Sequence, residues 1–218
     1  MPPHRRSRAG VSEFAFATGA ASPRKRPVQR RSRDTVGAIV AAVFRVLDQD
    51  GEALTTTRVA GVAGVSVGTL YQYFPNRDAL INGALAEHLE AAIAAVEAAA
   101  ADAAGLPLEA AAERIARAFL AVKAERAAVS RVLNRVFGVG RLDDRPVVRA
   151  ASRRAHRAIS GVLAASGVAE PECSQRAEIA CAALEGVVRA VIDDDPERLR
   201  DPAWIEQVVR VATRALAE

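Results

Sequence analysis

Residues 55–74, TTTRVAGVAGVSVGTLYQYF, read as two short helices joined by a glycine turn, and this stretch restricts the fold more closely than any other. In the first helix Val59, Val62 and Ala63 fall at i, i+3 and i+4 and form a small apolar face, while Ala60 leaves room for a close crossing. Gly64 supplies the turn, Val65 can plug the space between the helices, and Ser66 offers a side-chain oxygen to cap the second. Leu70 and Phe74 lie four apart and face inward. Val67, Gly68, Thr69, Tyr71 and Gln72 are thereby turned outward.

The rest of the chain carries helical rather than strand periodicity. Aromatic residues make up only 4% of it, alanine is abundant, and polar residues do not alternate with β-branched ones. Four of the ten prolines fall within residues 1–27, where they favour extended chain; Pro75, Pro107, Pro146, Pro171, Pro196 and Pro202 read as helix punctuation. Between them the spacing predicts nine helices, at 33–50, 56–63, 66–73, 77–103, 108–126, 127–137, 147–166, 173–193 and 202–217. Ser32, Thr55 or Thr56, Ser66 and Asn76 are candidate N-caps, and Gly51, Gly64, Gly105 and Gly167 stand where left-handed closing residues are expected. An all-α protein follows, with 218 residues enough for one or two domains.

The formal charge is +4, unevenly spread: residues 1–33 hold nine Arg or Lys and one acid, Glu13, for a net +8, which leaves the remainder at −4. A basic leading arm on a mildly acidic body suits a polyanionic partner; a solvated tail is the plainer reading. Cys173 and Cys181 sit eight apart on one expected helix, about 12 Å along its axis, too far for a disulfide. No run is read as reaching the roughly 18 apolar residues of a membrane span, so a soluble, cytoplasmic protein is expected.

The outward set in the second short helix is odd for plain solvent and apt for a DNA groove. Gly68 lets backbone approach closely, Gln72 can pair with adenine edges, and Val67 or the Thr69 methyl can meet a thymine methyl. The Tyr71 and Tyr73 hydroxyls can reach phosphates or bases, and Thr55, Thr56, Arg58 and Arg77 frame the unit with phosphate donors. On these residues, and on GVSVGTLYQYFPNRDAL in particular, residues 32–90 resemble the DNA-binding domain of the TetR family of transcriptional regulators. The resemblance implies a basic disordered arm at 1–31, a helix-turn-helix domain at 32–92, and a helical ligand-binding and dimerisation domain at 93–218. It further implies DNA contacts from Thr55, Thr56, Arg58, Ser66, Val67, Gly68, Thr69, Tyr71, Gln72, Tyr73 and Arg77, on double-stranded operator DNA.

Two departures matter. Gly61 stands where such sequences more often carry a charged helix former, at a cost of about 1 kcal/mol relative to alanine. Residues 34–78 hold three basic side chains against five acids, so the groove-binding part has little electrostatic pull of its own. Arg24, Lys25, Arg26, Arg30, Arg31 and Arg33, just ahead of it, are the expected source of phosphate attraction.

Broad apolar stripes at 179–192 and 204–216 fit two helices that pack on their own core and on a symmetry mate, with Val187, Val191, Trp204, Val208 and Ala212 as candidate dimer contacts. A purely internal core is the alternative. Leu85, His88, Leu89, Phe119, Val122, Leu133, Phe137, His156 and Ile159 are candidate lining for a pocket that takes an unknown small-molecule effector, or else ordinary core and surface residues. The whole reads as a dimeric regulator of repressor type; the competing readings are a nonspecific architectural DNA-binding protein and a helical enzyme. Against the enzyme, His4, His88, His156 and the two cysteines lack metal-ligand spacing, 193–195 reads as a solvated acidic helix end, and no cofactor is expected.

Overall fold

The computed structural model describes residues 30–137 and 146–217. Among these residues the chain is all-α: α1 (Arg30–Asp50), α2 (Thr56–Ala63), α3 (Val67–Tyr73), α4 (Arg77–Asp102), α5 (Leu108–Glu125), α6 (Ala127–Phe137), α7 (Pro146–Ala165), α8 (Glu172–Ile192) and α9 (Pro202–Ala217), with short 3-10 turns at Gly51–Ala53 and Pro196–Arg200. Gly51, Gly64, Gly105 and Gly167, the four glycines singled out as helix closers, are the ones with positive φ, from +57° to +89°. One expectation is corrected at the start. The first helix takes in Arg30 and Arg31, so Ser32 lies inside it rather than capping it, and Arg30, Arg31 and Arg33 belong to a helix instead of an arm.

The described residues within Met1–Glu90 and Val132–Val148 form one compact unit, and those within Ala91–Arg131 and Arg149–Glu218 a second. In the first, α1 packs on α2 and α2 on α3. Val36, Ile39, Val40, Val43, Val46 and Leu47 recur at helical spacing along α1 and all are buried, joined by Val59, Leu70 and Phe74. The second unit is built around α9, which packs on α5 and α8 with the Pro196–Arg200 turn beside them. Its core includes Ile115, Leu120, Leu184, Val188, Leu199 and Leu216. Polar ties pin its ends: Arg117 Nη2 donates to Glu206 Oε1 at 2.6 Å, and Arg176 Nη1 to the Leu216 carbonyl at 2.9 Å.

No uninterrupted apolar run in α4 approaches 18 residues, yet by length and mean hydropathy alone the helix could cross a membrane. Alanine supplies much of that apolarity, and more than half of the qualifying window is buried inside the protein, as in a core helix. The two cysteines are free, and burial together with Glu185 pushes the Cys181 thiol up to about 12, so it stays protonated.

Candidate nucleic-acid interface

Each half of the 55–74 motif begins with a satisfied cap. Thr55 Oγ1 accepts from Arg58 N at 3.2 Å to start α2, and Ser66 Oγ accepts from Thr69 N at 3.0 Å to start α3. Between them Gly64, at φ 70°, donates its N–H to the carbonyls of Ala60 and Gly61, and Val65 N–H reaches the Ala60 carbonyl at 3.0 Å. This closes α2 and turns the chain into α3. Asn76 Oδ1 accepts from Ala79 N at 2.8 Å and starts α4 in the same way.

Two anchors then orient α3. Leu70 and Phe74 are buried, at 0% and 2% exposure, and the Phe74 ring is held so close to α4 that a Cβ added to Gly83 would lie 2.7 Å from it. With those residues inside, Val67 and Tyr71 stand at 36% and 42% exposure, among the few large apolar side chains so presented, and Gly68 and Gln72 are exposed beside them. A Cβ at Gly68 would meet only Ser66 Oγ, at 3.7 Å. The protein's own packing therefore does not require glycine there, and the bare backbone faces outward.

The flanking candidates fall into place around this face. Thr56 Oγ1 and the Tyr71 hydroxyl are hydrogen-bonded at 3.2 Å, which joins the second helix's exposed aromatic to the N-terminus of the first. Ser66 Oγ and Thr69 Oγ1 lie 2.8 Å apart, so both hydroxyls serve the cap. Tyr73 is half-buried. Arg58 is exposed and engaged by Asp50 (Nε to Oδ2, 3.2 Å) and Gln49 (Nη2 to Oε1, 3.4 Å). Arg77 donates Nε to the Leu54 carbonyl at 3.1 Å, fastening the start of α4 to the loop before α2, a structural task the sequence did not disclose. Of the basic residues ahead of Asp34, Arg33 is exposed on α1; Arg24, Lys25 and Arg26 lie outside the described residues, as do the side chains of Arg30 and Arg31.

The pocket candidates are distributed over both units. Leu85, His88 and Leu133 are buried in the first unit with Leu89 half-buried; Phe119 and Ile159 belong to the core of the second, with Val122 and His156 half-buried there. The Phe137 side chain lies outside the described residues. None of them lines the groove of about 480 Å³ that the second unit does hold, whose walls include Glu97, Ala100, Ala104, Arg154, Arg157 and Gly161. Of the dimer candidates, Val208 and Ala212 are buried within the protomer's own core, while Val187, Val191 and Trp204 are partly buried against it. The exposed large apolar residues on these helices are Ile179 on α8, at 59%, and Val211 on α9, at 53%.

Comparison with known proteins now decides the family. Residues 39–84 match the bacterial regulatory proteins of the tetR family, and residues 107–216, just over half the chain, match the tetracyclin repressor-like C-terminal domain. The chain belongs to the TetR family. Its fold is shared with a protein from Mesorhizobium loti assigned to the TetR-family transcriptional regulators (16% identity, TM-score 0.69, covering 86% of this chain and 97% of that one). A transcriptional regulator from Rhodococcus sp. RHA1 aligns similarly (22%, TM-score 0.65, 82% and 94%). So does the TetR-like regulator LfrR from Mycobacterium smegmatis in complex with proflavine (22%, TM-score 0.56, 86% and 97%). No protein of curated function matches the chain. As a TetR-family member it has the make-up of a non-enzymatic DNA-binding transcriptional regulator: a helix-turn-helix domain followed by a C-terminal domain of the ligand-binding type.

Proposed function

We propose that the protein is a homodimeric, ligand-responsive repressor that binds a near-palindromic operator through α3. The observation that carries this reading is the outward face of α3, Val67, Gly68, Tyr71 and Gln72, held rigid from behind by buried Leu70 and Phe74. Gln72 is suited to adenine edges and Val67 to a thymine methyl, with Thr56 and Tyr71 joined beside them and Thr55, Thr69, Tyr73 and Arg77 holding or flanking the face. Phosphate attraction comes from the arginines and lysine between positions 24 and 33, since residues 34–78 are themselves net acidic.

Dimerisation is supported by the family of the C-terminal domain, with Ile179 and Val211, branched apolar side chains left more than half exposed on neighbouring helices, as candidate contacts. A small-molecule effector is supported by the family of the C-terminal domain and by the proflavine complex of LfrR, a distant relative in fold. The effector weakens DNA binding by favouring a conformation in which the two α3 helices no longer match the grooves, about 1.4 kcal/mol of differential binding for each tenfold loss. A protection footprint on the DNA adjoining the gene tests the reading. It should show a two-fold symmetric site with half-sites about one helical turn, or a multiple of it, apart; diffuse protection of all DNA would instead mark a nonspecific architectural protein.

A further inference from the structure

We propose that the groove between the C-terminal part of α4 and α7 binds an anionic amphiphile of the fatty-carboxylate type, head group on Arg157 and hydrocarbon body along the alanine and glycine floor. The groove, about 480 Å³, is open to solvent and lined mostly by apolar atoms, which suits a ligand that lies along it rather than one enclosed by it. Its floor is made of side chains too small to close the gap between the helices: Ala100 and Ala104 from α4 and the residues just after it, Ala158, Gly161 and Val162 from α7. Gly161 has an ordinary helical backbone, and a Cβ placed there would meet nothing within 4 Å. Neither strain nor packing calls for glycine at this position, and the space over it belongs to the groove.

Charge selects the head group. α7 carries Arg149, Arg153, Arg154 and Arg157 and no acid along its length. The acid facing it across the groove, Glu97, is engaged by Arg154 through two bonds, Nε to Oε1 at 2.8 Å and Nη2 to Oε2 at 2.6 Å. That hydrogen bonding holds the Glu97 carboxyl below the usual carboxylate range, so the pair is a fixed, neutralised bridge. Arg157 is exposed and makes no hydrogen bond or ion pair with a described residue, although its charge also acts on Glu97 through space; the wall thus sets two guanidinium groups against one carboxylate beside an apolar floor. A guanidinium fork pairs with a carboxylate and repels an ammonium head.

Such binding does not require that the ligand alter DNA affinity. Isothermal titration of the full chain with dodecanoate below its micellar concentration tests it, with dodecyltrimethylammonium as the opposite-charge probe and phosphatidylglycerol vesicles as a lipid-surface arm. Dodecanoate should bind as a monomer, and Arg157→Glu and Gly161→Leu should each weaken it about tenfold or more, the first by removing the charge-assisted contact and the second by filling the floor. Both changes lie on the exposed side of a helix, and leucine favours helix over glycine, so unchanged circular dichroism is expected of each. Wild-type affinity in either folded variant, equal binding of the ammonium probe, no dodecanoate binding, or binding only to vesicles would overturn the assignment.

Discussion

Gly83 carries no side chain where α4 passes the ring of Phe74, and that single absence fixes how α3 is held. A methyl group at 2.7 Å from the ring must displace it, so Gly83→Ala should destabilise the first unit by about 1–3 kcal/mol despite alanine's better helix propensity. A denaturant midpoint unchanged or raised by this substitution would mean that Phe74 does not anchor the motif. Asp50 acts in the opposite sense. It pairs with exposed Arg58, a residue proposed to meet phosphate, and an exposed pair of this kind contributes about 1 kcal/mol or less to folding. Asp50→Asn should therefore leave the melting temperature nearly unchanged while tightening DNA binding, because it frees a guanidinium and removes a negative charge near the duplex. Fluorescence anisotropy with labelled DNA reads the change; weaker binding would place Arg58 outside the interface.

At the scale of elements, much of the fold was legible because helix ends are written in local chemistry. Thr55, Ser66 and Asn76 cap where their side-chain oxygens can reach free amides, and the four closing glycines adopt the left-handed conformation that other residues avoid. The outward face of α3 was legible too, since two anchors four apart leave no choice of which side is buried. What could not be read is whatever depends on elements distant in sequence. The broad stripe on α9 did not reveal that Val208 and Ala212 serve the protomer core and Val211 the surface, because spacing alone orients a helix only to within a turn. Nor could the α4–α7 groove be seen, although an α7 with four arginines and no acid was a signal available in advance. The bridge across that groove sets an acid sensitivity. Hydrogen bonding to Arg154 keeps the Glu97 carboxyl below its ordinary range in the folded state, so the stability it contributes is present above that range and is lost as the pH falls through the folded value. Glu97→Gln should be slightly less stable at neutral pH and lose less of its stability on acidification, an effect kept small by the partial exposure of the pair. Thermal melts of the two proteins across the acid range check this; parallel curves would show that the bridge is not coupled to folding.

For the molecule as a whole, the proposed function depends on two copies presenting two α3 helices at a fixed spacing. Ile179 and Val211 are the large apolar side chains on α8 and α9 that the protomer leaves uncovered, and aspartate at both positions should convert a dimer to monomers in sedimentation velocity without loss of helix content. A variant that remains dimeric would move the interface elsewhere. The central claim, that the exposed face of α3 reads base sequence, is tested most directly by the ratio of affinities for the footprinted site and for unrelated DNA at one salt concentration. In wild type the ratio should be on the order of a thousand or more. Tyr71→Ala and Gln72→Ala should each lower it about tenfold by weakening the specific complex, with little effect on unrelated DNA. A ratio near one in wild type, or a ratio unchanged in both variants, would contradict the account.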